Sequence, residues 1–357
     1  MKIKSIELRN FRSYQGRKFS FDPVGNLLIG PNGSGKTNLL EAIAYTSIGK
    51  SIRFHKDEEL MAYGGDFFAL DSIYERDNGM DISVQLSFGA SRKNLKLDGE
   101  LSRQLSALVS VVKVIYSAPE DIQLINGSPR IRRQYFDMAI SQIFPDYLVC
   151  LRSYLHVLEQ RNALLKQKYD SAQKQVWDHK FALALREVYG YRKRYLALLN
   201  QAFSSSYADI SDTFLPLSVA YNAVLKDAFN ADVDRVMQSL NELKSREQIW
   251  QRTLLGSHLD DYSFRFGEHN LRSFASGGQK RMVVIILKLV QAELIREHTG
   301  IYPVMLFDDI FAELDIRHSR RIRDLCNSRF QSIIASPKDD VKQIFKDYPS
   351  IDFGQAQ

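Results

Sequence analysis

The sequence predicts a mixed α/β fold interrupted by a helical insertion. Three observations carry that reading: a glycine-rich loop, Gly30 to Thr37, stands between a buried-strand pattern and a helix; helical periodicity runs from about Pro129 to Arg252; and α/β character returns near residue 270.

Near the start, Ile6 and Leu8 alternate with Glu7 and Arg9, Phe19 and Phe21 follow, and Leu27-Leu28-Ile29 enters the glycine-rich loop as a buried strand would. Leu39, Leu40 and Ile43 mark the next helix, which Gly49 should close, because glycine takes the left-handed conformation of a C-terminal cap without steric cost. Ile82, Val84, Leu86 and Phe88 alternate with Ser83, Gln85 and Ser87, and Asp98-Gly99 reads as a hairpin turn, so an antiparallel β-segment is expected there. Beyond Pro129 the apolar spacing becomes helical: Leu151, Leu155, Leu158 and Leu165, then Phe181, Leu185 and Val188, then Val233, Val236, Leu240 and Leu243. Each heptad-like stretch lasts about two or three turns, so no long coiled coil is expected. A second long helix is expected from about Gln279 to Glu297, followed by buried strands at Val304 to Phe307 and at Ile333-Ile334. The boundaries that follow are 1–125 and 256–357 for the two parts of one α/β head, with 126–255 as an inserted helical lobe.

Composition sets wider limits. Of 357 residues, 45% are hydrophobic and 25% charged, enough for a core and, by length, roughly two domains. The excess of 48 Lys+Arg over 42 Asp+Glu favours acidic partners but is too small to specify nucleic acid. Cys150 and Cys326 are the only cysteines; they provide neither a disulfide framework nor a metal spacing, and they suit a reducing cytoplasm. Glu7 and Arg9 interrupt the N-terminus, and Lys288 breaks the longest apolar run, so neither secretion nor a membrane span is expected.

Gly30-Pro31-Asn32-Gly33-Ser34-Gly35-Lys36-Thr37 matches G-x-x-x-x-G-K-[ST] in its required place between strand and helix. Glycines there let backbone N–H groups curl around phosphate oxygens, the lysine reaches the β- and γ-phosphates, and the threonine hydroxyl suits Mg²⁺. Asp308-Asp309 end a buried-strand run, where an acidic residue supporting that cation belongs; by itself the pair could equally open a solvated turn. Ser276-Gly277-Gly278-Gln279 precedes the second long helix. Ser276 and Gln279 satisfy a capping box, yet a cap needs no paired glycines, which leave N–H groups open to a second anion.

These segments, together with Ala275 and Glu313-Leu314-Asp315, recur in the order typical of ABC-type ATPase heads. The start, Leu8-Arg9-Asn10-Phe11-Arg12-Ser13-Tyr14, resembles the DNA-repair branch of that class, shared by SMC proteins. The short helical insertion, Gly256-Ser257-His258-Leu259-Asp260-Asp261 and the stretch Tyr116 to Asp121 through Gly127-Ser128-Pro129 and Arg132-Arg133 are similar to the bacterial recombination mediators of that branch. The resemblance spans nearly the whole chain.

It implies that Gly30, Pro31, Asn32, Gly33, Ser34, Gly35, Lys36 and Thr37 bind ATP, with Arg12 near the phosphates and Thr37 and Asp308 supporting Mg²⁺. It implies that Asp309 acts on the attacking water alongside Lys36. Ser276, Gly277, Gly278 and Gln279 would contact the γ-phosphate held by a second copy of the chain, and Asp315 would help join the copies. ATP binding would then close a homodimer on duplex, gapped or junctional DNA, slow DNA-dependent hydrolysis would release it, and the protein would help RecO and RecR load RecA in DNA repair and replication. Departures limit the transfer. Ser257 and Leu259 stand where Pro and Arg are usual, Ala335-Ser336 where many ABC heads have histidine, and Asp309 where most have glutamate. Gln123 and Gln134 are the candidates for the glutamine loop.

His258 reads either as a hydrogen-bonded structural residue or as a catalytic one, with Asp260 and Asp261 orienting its ring or capping the turn. Arg130, Arg132, Arg133, Arg186, Arg192, Lys193 and Arg194 are either a solvated helical face or contacts to DNA. Two other functions share the ATP motifs: a scaffold that binds ATP with negligible hydrolysis, and the ATPase subunit of a transporter.

Overall fold

The computed structural model describes all residues except Phe54, Arg103, 212–215, Ser328, 338–339 and 355–357, and leaves the side chains of Ser211, Ala312, Glu313, Asn327 and Asp340 aside. The chain forms two compact units: Met1–Asp121 with Ala208–Asp212 and Arg281–Gln357, and Ile122–Tyr207 with Thr213–Lys280.

In the first unit, β1 (Lys2–Phe11) and β2 (Tyr14–Ser20) pair antiparallel, with Leu8 opposite Arg17. The strand β3 (Gly25–Ile29) is buried along its whole length and leads into α1 (Lys36–Ile48), where Gly49 takes a left-handed φ of 68° and its N–H caps the Tyr45 carbonyl. The strands β4 (Phe67–Glu75), β5 (Asp81–Gly89), β6 (Arg92–Leu97) and β7 (Glu100–Ser102) widen the hairpin into a six-stranded sheet of order β2-β1-β4-β5-β6-β7. Period-two alternation holds as the sequence suggests, since Ile82, Val84, Leu86 and Phe88 are buried and the residues between them are not. Asp98 and Gly99, at φ 49° and 81°, make the turn between β6 and β7. Phe11, Tyr45 and Phe68 meet edge to face at centroid separations of 5.3 to 6.4 Å, which seats α1 on this sheet. Next come α2 (Ser106–Val111) and β8 (Val114–Ser117).

The second unit holds α3 (Gln123–Asn126), α4 (Pro129–Ile143), α5 (Asp146–Leu165) and α6 (Ser171–Ser211). Pro129 sits at the first position of α4, where its missing N–H costs nothing. The 41 residues of α6 exceed what the Phe181 to Val188 pattern signalled, because its buried stripe continues through Tyr195, Leu199, Phe203, Tyr207 and Ile210, residues of mixed size that blur the period. The region from Pro129 to Arg252 is not helical throughout. It contains β9 (Leu217–Asn222) before α7 (Val233–Glu242) and α8 (Lys244–Trp250). Then β10 (Asp261–Phe266) and β11 (His269–Asn270) complete a three-stranded sheet of order β11-β10-β9 ahead of α9 (Leu271–Phe274). Tyr262 pairs with Tyr221, and the Phe136 ring stacks on Tyr262 at 4.0 Å, so β10 is part of this unit's core. That pairing carries the chain's return to the first unit to Arg281, where the sequence pattern alone had suggested residue 256.

Helix α10 (Gly277–Thr299) begins in the second unit and ends in the first. There follow β12 (Val304–Asp308), α11 (Ile316–Asn327), β13 (Ser332–Ser336), α12 (Asp340–Ile344) and β14 (Ser350–Asp352). Five parallel strands order as β14-β3-β13-β12-β8, with Phe307 level with Ile334 on one side and Ser117 on the other. Central strands covered on both faces are buried at every position, which is why β3 and β12 read as mainly apolar runs, with Asn26 and Asp308 the polar residues among them. Because all five run the same way, the C-terminal ends of β3, β12 and β8 share one edge, and that edge carries the glycine-rich loop and Asp308. Among the described residues no helix is long and apolar enough to cross a membrane.

Candidate nucleotide site

The loop after β3 is shaped by close approach from behind. A side chain at Gly30 would stand 2.7 Å from the Phe353 Cβ, and one at Gly35 would stand 2.8 Å from the Tyr14 hydroxyl, which donates to the Gly35 carbonyl at 3.0 Å. Gly35 also sits at φ 100°, a backbone region that favours glycine. No side chain caps the start of α1, which leaves its first N–H groups open to an anion such as phosphate. Lys36 Nζ donates to the Gly30 carbonyl at 2.7 Å and the Pro31 carbonyl at 2.8 Å, folding its ammonium over the loop. Burial lowers its pKa, while Asp309 and Asp308 act in the opposite sense.

Asp308 closes β12 beside that loop. Its Oδ1 accepts from Thr37 Oγ1 at 3.1 Å and its Oδ2 from the Tyr116 hydroxyl at 2.8 Å. Burial raises the Asp308 pKa, and these two hydrogen bonds oppose the rise. Thr37 and Asp308 together offer hard oxygen donors at one point, a set that fits Mg²⁺, which takes few protein ligands and completes its shell with phosphate and water. Asp309 turns the chain with a left-handed φ of 56°, its N–H bonded to the Ala335 carbonyl at 3.0 Å. The Ala335-Ser336 pair therefore ends β13 next to the two aspartates.

Arg12 is held by α1. Its guanidinium lies 3.0 Å from Glu41 Oε2 and donates to the Glu59 carbonyl at 3.1 Å, and Glu41 also accepts from Ser51 Oγ at 2.6 Å. Glu41 is one turn beyond Thr37, so both lie on one face of the helix. Asp315 caps α11: Oδ1 accepts the His318 N–H at 2.9 Å and Oδ2 meets the His318 ring, contacts that lower its pKa.

In the second unit, the Ser276 N–H donates to Gln279 Oε1 at 2.9 Å and the Gln279 N–H to Ser276 Oγ at 3.3 Å, so the capping box is formed. Gly277 and Gly278 are exposed with open space where a side chain would stand, so internal packing does not demand glycine there. His258 hydrogen-bonds the Tyr154 hydroxyl through Nδ1 at 2.7 Å, and burial pushes its pKa down to about 4. Neither neighbouring aspartate orients the ring. Asp260 accepts from the Tyr221 hydroxyl and the Val224 N–H, and Asp261 binds Arg132 at 2.7 Å. Of the basic positions, Arg132 is 5% exposed and Arg192 1% exposed, the latter bonded to Asp137, Tyr147, Tyr221 and the Ser257 carbonyl. Those two are core residues, not a solvated face. Gln123 heads α3 and Gln134 lies on α4.

Sequence reasoning missed Glu41, and it named Tyr14 and Tyr116 within stretches that carry the resemblance without giving either a role in the site.

A P-loop at the edge of a parallel sheet, a strand-end aspartate bonded to the P-loop threonine and an adjoining antiparallel sheet define an ABC-type ATPase head. The chain belongs to the RecF/RecN/SMC N-terminal domain family, whose sequence profile matches residues 2–352, and within it to the RecF proteins. It is 33% identical over 341 residues to the DNA replication and repair protein RecF of Desulfitobacterium hafniense, covering 94% of this chain and 93% of that one. It is 32% identical over 346 residues to the RecF of Lactobacillus gasseri, covering 94% and 92%. A solved structure of the recombination mediator protein RecF with ATP, in the RecFOR pathway, superposes with a TM-score of 0.87 at 28% identity over 95% of this chain and 93% of that one. An SMC head bound to the C-terminal winged-helix domain of ScpA shares the fold at a TM-score of 0.54 and 16% identity, covering 96% and 92%.

Proposed function

We propose that this chain is a cytoplasmic, ATP-dependent, DNA-binding recombination mediator. Gly30 to Thr37 hold ATP, and Asp308 with Thr37 supports Mg²⁺, which when bound would neutralise phosphate charge. ATP joins two copies, the Ser276 to Gln279 turn and Asp315 of each meeting the nucleotide held by the other, on gapped or junctional DNA. Slow hydrolysis, assisted by Asp309 and Lys36, releases the dimer, and the protein assists RecA loading with RecO and RecR. Met1–Asp121 with Arg281–Gln357 would supply the phosphate loop and the strand-end carboxylates, and the second unit the Ser276 to Gln279 turn.

The observation that carries this reading is the Thr37–Asp308 hydrogen bond at 3.1 Å beside a Lys36 ammonium folded over the loop, because it assembles phosphate and cation donors at one sheet edge. The likeness to the ATP-bound RecF supports it. A scaffold with negligible hydrolysis is favoured by the short Asp309 and by Ala335-Ser336 in place of histidine; single-turnover hydrolysis separates the two.

Sedimentation velocity with and without ATP and gapped DNA tests the main reading. The parent chain should shift from monomer to dimer only with ATP and co-sediment with DNA, with log affinity for duplex falling about 0.9 per neutralised phosphate against log salt. Lys36→Met should remain a folded monomer. A parent chain whose mass ignores ATP, or whose DNA binding ignores salt, refutes the clamp.

A further inference from the structure

We infer that Tyr116 is a positioning residue for the cation-supporting carboxylate of Asp308. The inference rests on the ATP and Mg²⁺ reading above and adds to it a residue outside the P-loop and strand-end motifs.

Tyr116 lies on β8, which pairs parallel with β12 so that Tyr116 is level with Leu306, two residues before Asp308. Its hydroxyl donates to Asp308 Oδ2 at 2.8 Å. Thr37 Oγ1 reaches the other oxygen at 3.1 Å. Each oxygen of one buried carboxylate is thus met by a hydroxyl from a different element, β8 on one side and α1 on the other. A carboxylate swings freely about its terminal torsion unless its oxygens are bonded, and two donors on opposite oxygens fix its plane. The plane so fixed keeps Oδ1 turned toward Thr37, where the cation would be supported.

The hydroxyl is also the only part of Tyr116 that packing does not explain. Val114 and Ile115 before it are apolar and buried, Tyr116 itself is half-buried, and a phenylalanine would fill the same space without bringing a hydroxyl to the buried Asp308 carboxylate. Burying a hydroxyl is unfavourable unless it finds a partner, and here the partner is the site carboxylate. Groups that orient a metal-supporting side chain from behind change metal affinity by about tenfold or more when they are removed.

The test is Mg²⁺-dependent binding of a fluorescent ATP analogue by the full chain and by Tyr116→Phe and Tyr116→Leu. The half-saturating Mg²⁺ concentration is expected to rise about tenfold in both variants. Nucleotide affinity in EDTA should stay at the parental value, and the thermal midpoint of the Phe variant without nucleotide should match the parent. A packing role predicts otherwise: the Phe variant would behave as the parent in every measurement and only the Leu variant would lose stability. A parental Mg²⁺ response in Tyr116→Phe overturns this inference alone. A parent chain that binds the analogue equally with and without Mg²⁺ overturns both this inference and the functional reading beneath it.

Discussion

Arg12 and Glu41 form an ion pair at 3.0 Å in which the carboxylate is fully buried. The arginine arrives from a left-handed backbone position, φ 53°, fixed by its own N–H bonding the Leu60 carbonyl at 2.7 Å. The pair joins the end of β1 to the face of α1 that also carries Thr37, so Arg12 braces the helix that begins at the phosphate loop.

Arg12→Ala should therefore destabilise the fold, because it strands the Glu41 charge with Ser51 as its remaining partner here. A loss of about 3 kcal/mol in urea unfolding is expected, with partial recovery in Arg12→Ala/Glu41→Gln, where no buried charge is left. Unchanged stability in the single variant would mean that the pair is not structural.

Ser276→Arg should leave ATP binding by the monomer at the parental level while abolishing dimerisation. Ser276 is exposed and its one internal task is the cap, worth about 1 kcal/mol, whereas an arginine would obstruct whatever approaches Gly277 and Gly278. Equilibrium ATP binding and sedimentation decide it: equal loss of both would place Ser276 in its own copy's site.

Asp309→Asn should keep ATP binding and closure, since asparagine also tolerates the left-handed backbone at this position. Hydrolysis should fall at least tenfold, equivalent to about 1.4 kcal/mol of transition-state stabilisation, and ATP-bound dimers should accumulate on DNA. Parental hydrolysis by this variant in a single-turnover assay would remove Asp309 from the chemistry.

His258 should make stability fall in mild acid. Its folded pKa of about 4 lies below the ordinary 6.5, so protons bind the unfolded chain more tightly. The full contribution is present above pH 6.5 and is lost as pH falls toward 4, amounting to about 3 kcal/mol. His258→Gln should flatten that part of the unfolding profile measured between pH 7 and 4. An unaltered acid limb would show that His258 titrates normally.

The sequence by itself determined the phosphate loop, the capped turn before α10, the strand-end aspartates and the alternating β-segment. Each is written in contiguous residues, because a loop that wraps phosphate, a helix cap and a period-two strand are set by neighbours along the chain. Tertiary structure alone decided what stands behind them. Tyr116 and Asp308 are 192 positions apart and meet because β8 and β12 are adjacent in the sheet, a pairing no local period encodes. The same holds for Arg132 and Arg192, whose charge reads as a solvated helical face until the carboxylates and hydroxyls of distant segments enclose them. His258 stayed ambiguous in the sequence for that reason too: Nδ1 meets Tyr154, 104 residues away, and not the aspartates beside it. Periodicity reports which face of an element is buried, whereas the identity of the group it is buried against depends on strand order and helix packing across the whole chain.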